Sequence, residues 1–337
     1  MSIQEQISLK PYNSFHCECI ASHFAIITKA AELKEALDWC MLHKKPFIVM
    51  GGGSNMLFTQ DIDALVLKME VKGIQKTNET SSEVFLTVGA GENWHHFVSY
   101  TIQKSWGGIE NLSLIPGTVG ASPIQNIGAY GVEAKDTIQS VTAYDTQKQE
   151  WVTLSNHDCA FEYRNSIFKK EKNRYIIWSV QFCLQKQPHF HIEYGAIREK
   201  LHEKQIKYPN LAAIANAVIQ IRSEKLPDPN IIGNAGSFFK NPIVDKAQFE
   251  KLKAQYPNLV AYPISDQAYK LAAGWLIEAA GWKGKKIGDI GCYEKQALVI
   301  VNYGTGTGKE IFDFSAQIIQ SIHEKFGVVI EREVNVY

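Results

Sequence analysis

The sequence predicts a mixed α/β protein built from two or three packing units. Its 337 residues allow that number at about 150 residues per domain. The content of 45% apolar and 21% charged residues is that of an ordinary globular chain, which argues against disorder, collagen-like repeats and coiled coil. Thirty-five basic residues balance thirty-five acidic ones, so the chain lacks the basic excess typical of proteins that grip nucleic-acid phosphates.

The first predicted unit, residues 1–70, is a small α/β layer. Apolar residues at near-helical spacing predict an amphipathic helix over Ala30–His43. Two short apolar runs, Phe47–Met50 and Ala64–Met69, predict buried strands. The first strand ends abruptly in the turn Gly51-Gly52-Gly53-Ser54-Asn55.

That glycine turn is the first candidate site. Consecutive glycines let backbone N–H groups approach an anion without hindrance from Cβ atoms. The alternative is a tight turn without a ligand. The turn does not have the spacing G-x-G-x-x-G, so a Rossmann dinucleotide site is not indicated.

The second predicted unit, residues 71–222, contains several short strands and one helix that begins at Trp94, which favours an antiparallel or mixed sheet. The predicted strands are Val84–Val88, Val141–Asp145, Trp151–Leu154 and Tyr175–Leu184. The glycine-rich loop Ile115–Gly131 is too apolar for an exposed linker. It suits a flat, largely apolar ring held by backbone hydrogen bonds, with a structural crossover as the alternative.

The third predicted unit, residues 223–325, is followed by a C-terminal segment, residues 326–337. It begins near the breaker Lys225-Leu226-Pro227-Asp228-Pro229. Predicted helices cover Lys270–Ala280 and Ile311–Phe326, and predicted strands cover Ala297–Asn302 and Val328–Glu331. The run Gly304–Glu310 imitates a phosphate-binding loop but lacks its spacing and its final Ser or Thr, so we interpret it as a turn and a helix start.

Other classes of site find little support. The six cysteines form no C-x-x-C pair and are expected to be reduced thiols. The paired histidines at positions 95–96 and 189–191 lack a third ligand at a recognisable spacing, so no metal site is expected. No apolar run is long enough to span a membrane and no secretory signal is visible, so we expect a cytoplasmic protein without membrane partners.

Taken together, the motifs resemble the UDP-N-acetylenolpyruvoylglucosamine reductase family (MurB), in its longer type I form. The resemblance runs nearly end to end, from Leu9–Phe15 to Glu331–Val334. Its most specific stretches are Ile115–Gly131, Tyr163-Arg164-Asn165-Ser166-Ile167-Phe168, Lys225–Pro229 and Gly233–Pro242.

The resemblance implies a fold and a cofactor. Two α/β subdomains would clamp FAD as in the vanillyl-alcohol-oxidase-like (PCMH-type) flavoproteins, and a C-terminal α/β domain would cover the substrate. No histidine lies in either glycine-rich motif, so noncovalent FAD is expected. The implied FAD-binding residues are Gly51, Gly52, Gly53, Ser54, Asn55, Pro116, Gly117, Gly120, Ser122, Ile124, Asn126, Gly128, Ala129, Tyr130 and Arg222.

The resemblance also implies a reaction in two halves. NADPH reduces the flavin, and the reduced flavin then delivers hydride to C3 of UDP-N-acetylglucosamine-enolpyruvate. Arg164 matches the cation that stabilises the resulting anion, and Ser237 matches the proton donor to C2. Glu333 matches a second stabilising residue, which must be either protonated or paired with Arg164.

The implied substrate-binding residues are Tyr163, Tyr194, Lys225, Asn241, Tyr262 and Gln296, and a monomer is expected. The sequence departs from the family twice. Gly52 stands where relatives often carry Glu, and Arg332 stands beside Glu333 where Pro is common. Two other functions stay open: an FAD-dependent oxidase of the same fold class acting on an alcohol or sugar, and a non-catalytic protein that binds nucleotide sugars.

Overall fold

The structure is a computed structural model that describes all residues from 1 to 337. Its helices are α1 (Ala30–His43), α2 (Trp94–Gln103), α3 (Ile167–Lys170), α4 (Gly195–Glu203), α5 (Leu211–Lys225), α6 (Lys246–Gln255), α7 (Ala273–Ala279) and α8 (Gly308–Phe326). Its strands are β1 (Gln4–Ser8), β2 (Ile20–Ile27), β3 (Phe47–Met50), β4 (Met56–Leu57), β5 (Ile62–Met69), β6 (Ile74–Glu79), β7 (Glu83–Gly89), β8 (Gly128–Ala129), β9 (Val132–Glu133), β10 (Ile138–Asp145), β11 (Glu150–Ser155), β12 (Tyr175–Gln185), β13 (Gly233–Ser237), β14 (Ile243–Asp245), β15 (Ala261–Ser265), β16 (Ala268–Leu271), β17 (Lys286–Ile287), β18 (Ile290–Cys292), β19 (Val299–Asn302) and β20 (Asn335–Val336).

The chain folds into two compact units, each assembled from three stretches of sequence. Unit 1 comprises Met1–Ile7, Ala21–Gly52 and Asp63–Glu224. Unit 2 comprises Ser8–Ile20, Gly53–Ile62 and Lys225–Tyr337.

The first layer of unit 1 is a four-stranded sheet in the order β1-β2-β5-β3, in which β3 and β5 run parallel. Buried apolar residues of α1, such as Leu33 and Leu37, pack in one core cluster with Leu65 and Leu67 of β5. The Glu32 carboxylate accepts hydrogen bonds from the backbone at the start of α1. The predicted helix and both predicted strands of this layer are confirmed.

The second layer of unit 1 is a five-stranded antiparallel sheet in the order β11-β10-β12-β7-β6. Its core includes Leu86 and Phe182 from the strands and Trp94 and Phe97 from α2. The Asn93 side chain accepts from the His96 amide and so caps α2. Of the two predicted arrangements, antiparallel or mixed, the sheet is antiparallel, and the predicted helix at Trp94 is confirmed.

The core of unit 2 is built on α8, whose buried residues include Ile311, Phe314, Ile318 and Ile322. Their spacing of three to four residues puts them on one face of the helix. A capping box between Thr307 and Glu310 starts α8. The interpretation of Gly304–Glu310 as a turn and a helix start is therefore confirmed.

In unit 2 one predicted helix has the wrong start and one predicted strand is wrong. The helix predicted over Lys270–Ala280 begins only at Ala273, because Ala268–Leu271 is a strand that pairs with β14 and β15. The strand predicted over Val328–Glu331 forms no ladder. Its apolar residues Val328 and Ile330 pack into the core of unit 2 instead.

Helix α5 was not predicted, although its buried residues Leu211, Ile214, Val218 and Ile221 have helical spacing. None of the helices combines the length and apolar character that crossing a bilayer requires. All six cysteines are free thiols.

Candidate active site

The glycine turn after β3 and the glycine-rich loop meet in unit 1. A Cβ atom at Gly51 would lie 2.6 Å from the Thr118 hydroxyl oxygen, and one at Gly52 would lie 2.9 Å from the Cα atom of Gly117. Larger residues would therefore force the two loops apart. The Lys68 ammonium donates a 2.8 Å hydrogen bond to the Gly51 carbonyl, which helps to hold the turn in place.

We call the place where Gly51 and Gly52 meet Gly117 and Thr118 the glycine cradle. Thr118 was not among the residues that the sequence predicted for this site. Its side chain is buried, yet its hydroxyl has no hydrogen-bond partner within the protein. Most buried polar groups are satisfied, so an unpaired hydroxyl beside a glycine turn indicates a place for a polar ligand. Its position between Gly117 and Gly120 was the available signal in the sequence.

The rest of the loop is held by its own hydrogen bonds. The Ser122 hydroxyl donates to the Val119 carbonyl at 2.7 Å. The buried Asn126 amide donates to Glu133 at 3.0 Å. The strands β8 and β9 form a hairpin closed by Tyr130 and Gly131, both at positive φ, as a two-residue turn of the primed type requires. The loop is thus ordered by internal contacts.

Arg164 is anchored to this loop. One terminal nitrogen of its guanidinium donates a 2.9 Å hydrogen bond to the carbonyl of Gly128. The guanidinium carbon lies 5.7 Å from the centre of the Tyr163 ring. The backbone of Arg164 has φ of 53°, a conformation that non-glycine residues rarely adopt and that often marks a functional position.

A second arginine, Arg222, lies beside the same loop. Its Nε atom donates to the Leu114 carbonyl at 3.2 Å, and its guanidinium also bonds Tyr130. Burial, and to a lesser extent the charge of Arg164, lowers the pKa of Arg222. A second guanidinium close enough to lower the pKa of Arg222 adds positive charge beside it, and the two together favour an anionic ligand.

Tyr130 and Tyr194 form an edge-to-face pair with ring centres 5.2 Å apart. Burial raises the pKa of Tyr130, whereas the Tyr194 side chain is half exposed. The pair therefore places a predicted FAD-binding residue next to a predicted substrate-binding residue within unit 1.

In unit 2 the structure brings together Ser237, Glu333 and Asn55. The backbone N–H of Glu333 donates to the carbonyl of Phe238, the residue after Ser237, at 2.8 Å. The Asn55 amide donates to the Glu333 carbonyl at 3.3 Å, and the Asn335 N–H donates to the Asn55 carbonyl at 3.1 Å. Ser237 and Glu333, 96 positions apart in the sequence, thus lie on adjacent backbone segments.

Two further predicted residues of unit 2 meet at the start of α7. The side-chain oxygen of Asn241 accepts a 2.9 Å hydrogen bond from the Ala273 N–H. The side-chain oxygen of Gln296 lies 3.4 Å from where a Cβ atom of Gly274 would stand. Tyr262 lies on β15 and Lys225 ends α5, and both side chains are exposed.

The structure contains no group of three or more His, Cys, Asp or Glu side chains placed to hold a metal ion. A cleft of about 590 Å³ lies beside α1, lined by residues such as Met41, Lys44 and Tyr144. No predicted site residue lines that cleft, so the cleft and the candidate site are different places.

Comparison with known proteins defines first the class of protein. Residues 21–155 match the family model of the FAD binding domain, and residues 228–337 match that of the UDP-N-acetylenolpyruvoylglucosamine reductase C-terminal domain. The glycine cradle and the unpaired Thr118 hydroxyl fit such a cofactor. The chain is therefore an FAD-dependent oxidoreductase, and the predicted cofactor is confirmed.

The family follows from full-length relatives. The reductase of Pseudomonas fluorescens (strain Pf0-1) is 48% identical over 337 residues, covering 100% of this chain and 99% of the relative. The reductase of Flavobacterium johnsoniae is also 48% identical, over 338 residues and the full length of both chains. The chain belongs to the UDP-N-acetylenolpyruvoylglucosamine reductase family, as its motifs predicted.

A solved structure confirms the predicted architecture. The reductase (MurB) from Thermus caldophilus superimposes with a TM-score of 0.71 at 21% sequence identity, covering 100% of this chain and 99% of that structure. At that identity the likeness concerns the fold. A FAD-binding part followed by a C-terminal domain is thus the architecture of this chain.

Proposed function

We propose that this enzyme reduces UDP-N-acetylglucosamine-enolpyruvate to UDP-N-acetylmuramate with NADPH, a step of peptidoglycan precursor synthesis. The observation that carries the proposal is the backbone pairing that sets Ser237 beside Glu333. A hydroxyl-bearing and a carboxyl-bearing residue on adjacent backbone segments, in a chain with a cradle for FAD, suit a reaction that adds a hydride and a proton to a double bond.

The glycine cradle holds the cofactor in this proposal. FAD, when bound, would supply hydride transfer between NADPH and the enolpyruvyl group. Gly51, Gly52 and Thr118 would receive its polar portion, since a glycine presents its backbone N–H without a Cβ atom and the buried Thr118 hydroxyl has no partner in the protein. The loop from Pro116 to Tyr130 would line the ring.

Arg164 stabilises charge in this proposal. The substrate is an enol ether conjugated with a carboxylate, so addition of hydride puts further negative charge on that group. A fixed guanidinium can bind both carboxylate oxygens, and it acts most strongly in a water-poor site. The neighbouring Arg222 adds to the positive potential.

Ser237 donates the proton to C2 in this proposal, and Glu333 stabilises the reacting group. A hydroxyl is a weak acid, but an enolate is strongly basic, so a correctly positioned hydroxyl suffices. Tyr163, Tyr194, Lys225, Asn241, Tyr262 and Gln296 would hold the sugar nucleotide or NADPH, with Lys225 also orienting the water that restores the proton to Ser237. We further propose a monomer acting in the cytoplasm, because both co-substrates are water-soluble metabolites.

Anaerobic half-reactions test this proposal. NADPH should bleach the flavin of the wild-type enzyme, and the enolpyruvyl sugar nucleotide should restore its colour. Ser237→Ala should leave the first half-reaction intact and slow the second by about 10²- to 10⁴-fold, the usual contribution of a general acid. Ser140→Ala, in the five-stranded sheet of unit 1, is the control and should change neither half-reaction.

Two results would contradict the proposal. Equal losses in both half-reactions of Ser237→Ala would argue against a proton donor. A wild-type enzyme that needs no NADPH and is reoxidised rapidly by air, but not by the sugar nucleotide, would be the oxidase that the sequence left open.

A further inference from the structure

We propose that Arg332 is a positioning residue that anchors the segment Glu331–Glu333 to α8 and thereby fixes the position of the Glu333 carboxylate. The inference deepens the proposed function and rests on it, because that function assigns a catalytic role to Glu333. Arg332 itself touches neither substrate nor cofactor in this proposal.

The Arg332 side chain is held by one turn of α8. Its Nε atom donates a 2.7 Å hydrogen bond to the Ser315 hydroxyl, and a terminal nitrogen donates to the Phe312 carbonyl at 3.4 Å. Its guanidinium carbon also lies 4.1 Å from the centre of the Phe312 ring. A planar guanidinium can make all three contacts in a single orientation, which Lys cannot reproduce.

The side chains of Arg332 and Glu333 leave the backbone on opposite sides. Burial alternates along this segment: Val328 and Ile330 are buried, and Val329 between them is 61% exposed. Successive side chains of an extended chain point to opposite faces. Arg332 shares the face of the buried residues and contacts α8, so its influence on Glu333 passes through the backbone.

The backbone of the segment is hydrogen-bonded to the residues that follow Ser237. The Glu333 N–H donates to the Phe238 carbonyl at 2.8 Å, and the Lys240 N–H donates to the Glu331 carbonyl at 2.9 Å. Arg332 faces Phe239 between these two bonds. A slip of one residue in such a short pairing would turn the Glu333 side chain to the opposite face. The contacts of Arg332 with Ser315 and Phe312 on α8 stabilise the observed pairing against that slip.

The test compares Arg332→Met, Glu333→Gln and the double variant in anaerobic half-reactions. Arg332→Met should slow the second half-reaction at least tenfold and leave reduction by NADPH within about twofold. Arg332→Lys, which keeps one donor, should recover part of the rate. The double variant should be no slower than Glu333→Gln alone, because Arg332 acts through that carboxylate.

Arg174→Met is the matched control. Arg174 makes two hydrogen bonds to Asp145 in unit 1, so its loss should lower the melting temperature without changing either half-reaction. If Arg332→Met fails to fold, Ser315→Ala removes one acceptor on α8 and should give a smaller loss confined to the second half-reaction.

The outcomes separate the two proposals. Losses that multiply in the double variant, or a normal second half-reaction in Arg332→Met while Glu333→Gln is slow, would overturn the positioning role alone. A normal second half-reaction in Glu333→Gln would instead overturn the catalytic assignment of Glu333, and with it the reason to position that residue.

Discussion

A single hydroxyl, that of Thr118, illustrates how one residue can distinguish a ligand site from a structural turn. A buried polar group without a hydrogen bond costs about 1–3 kcal/mol. Thr118 bears that cost directly beside Gly51, at the point where a Cβ atom would not fit. Because the hydroxyl gains nothing from the protein, we expect its contribution to appear when FAD binds.

Thr118→Val should therefore separate stability from cofactor affinity. Val has nearly the same shape and removes the unpaired hydroxyl, so the cofactor-free enzyme should melt at the same or a higher temperature. FAD affinity should fall about tenfold, or about 1.4 kcal/mol. Calorimetry of the apoenzyme and titration with FAD measure the two effects.

Thr101→Val is the matched control, because the buried Thr101 hydroxyl already donates to the Val98 carbonyl at 2.9 Å. It should lower stability and leave FAD affinity unchanged. Unchanged FAD affinity in Thr118→Val, together with a less stable apoenzyme, would show that the Thr118 hydroxyl has only a structural role.

At the scale of the element, the glycine-rich loop depends on two helices that hold Leu114, the residue just before it. Leu114 has φ of 59°, an unfavourable conformation for a residue with a Cβ atom. Its N–H donates to the Nδ1 atom of His95 on α2 at 3.0 Å, and its carbonyl accepts from Arg222 on α5. His95 can accept this bond only when Nδ1 carries no proton.

The stability of the enzyme should consequently depend on His95 below pH 6.5. Burial, and then the charges of His96 and Arg222, lower the pKa of His95 from its ordinary value of 6.5. Above pH 6.5 the contribution is fully present, because His95 is neutral in both states. As the pH falls below 6.5 the unfolded chain binds the proton first, so the free energy of unfolding decreases until the native His95 is also protonated.

His95→Gln retains an acceptor for the Leu114 N–H but does not titrate. Urea unfolding across this pH range should show a flatter pH profile for His95→Gln than for the wild type. The exposed neighbour provides the control, and His96→Gln should keep most of the slope. Identical slopes in His95→Gln and the wild type would refute the role of His95.

At the scale of the whole molecule, the cores of the two units enclose most of the thiols. Burial raises the pKa of all six. The pKa of Cys17, Cys19, Cys159 and Cys292 is raised to about 12, and that of Cys40 and Cys183 to about 11. The reactive species is the thiolate, so the folded enzyme should contain no reactive cysteine.

Iodoacetamide at pH 8 should therefore modify the native enzyme roughly a hundred-fold or more slowly than an unperturbed cysteine of pKa 8.5. After unfolding in guanidinium chloride, mass spectrometry should find all six cysteines alkylated. Rapid modification of any one thiol in the native enzyme would contradict the burial described for it.

The sequence by itself determined the elements whose signals are local. The spacing of apolar residues predicted α1, the short apolar runs predicted β3 and β5, and the run Gly304–Glu310 indicated a turn and the start of α8. The motif Tyr163–Phe168 and the two glycine-rich stretches indicated the family. Each of these features lies within a short stretch of consecutive residues, so periodicity and turn chemistry are enough to find it.

Only the tertiary structure decided which distant residues become neighbours. Val328–Glu331 has an extended pattern but finds no strand to pair with, and Ala268–Leu271 became a strand because β14 and β15 flank it. The tertiary structure likewise decided that the Thr118 hydroxyl is buried without a partner and that Arg332 donates a hydrogen bond to Ser315 on α8. The physical reason is that hydrogen bonds and packing between residues far apart in the chain depend on the folded backbone, and no local pattern encodes them.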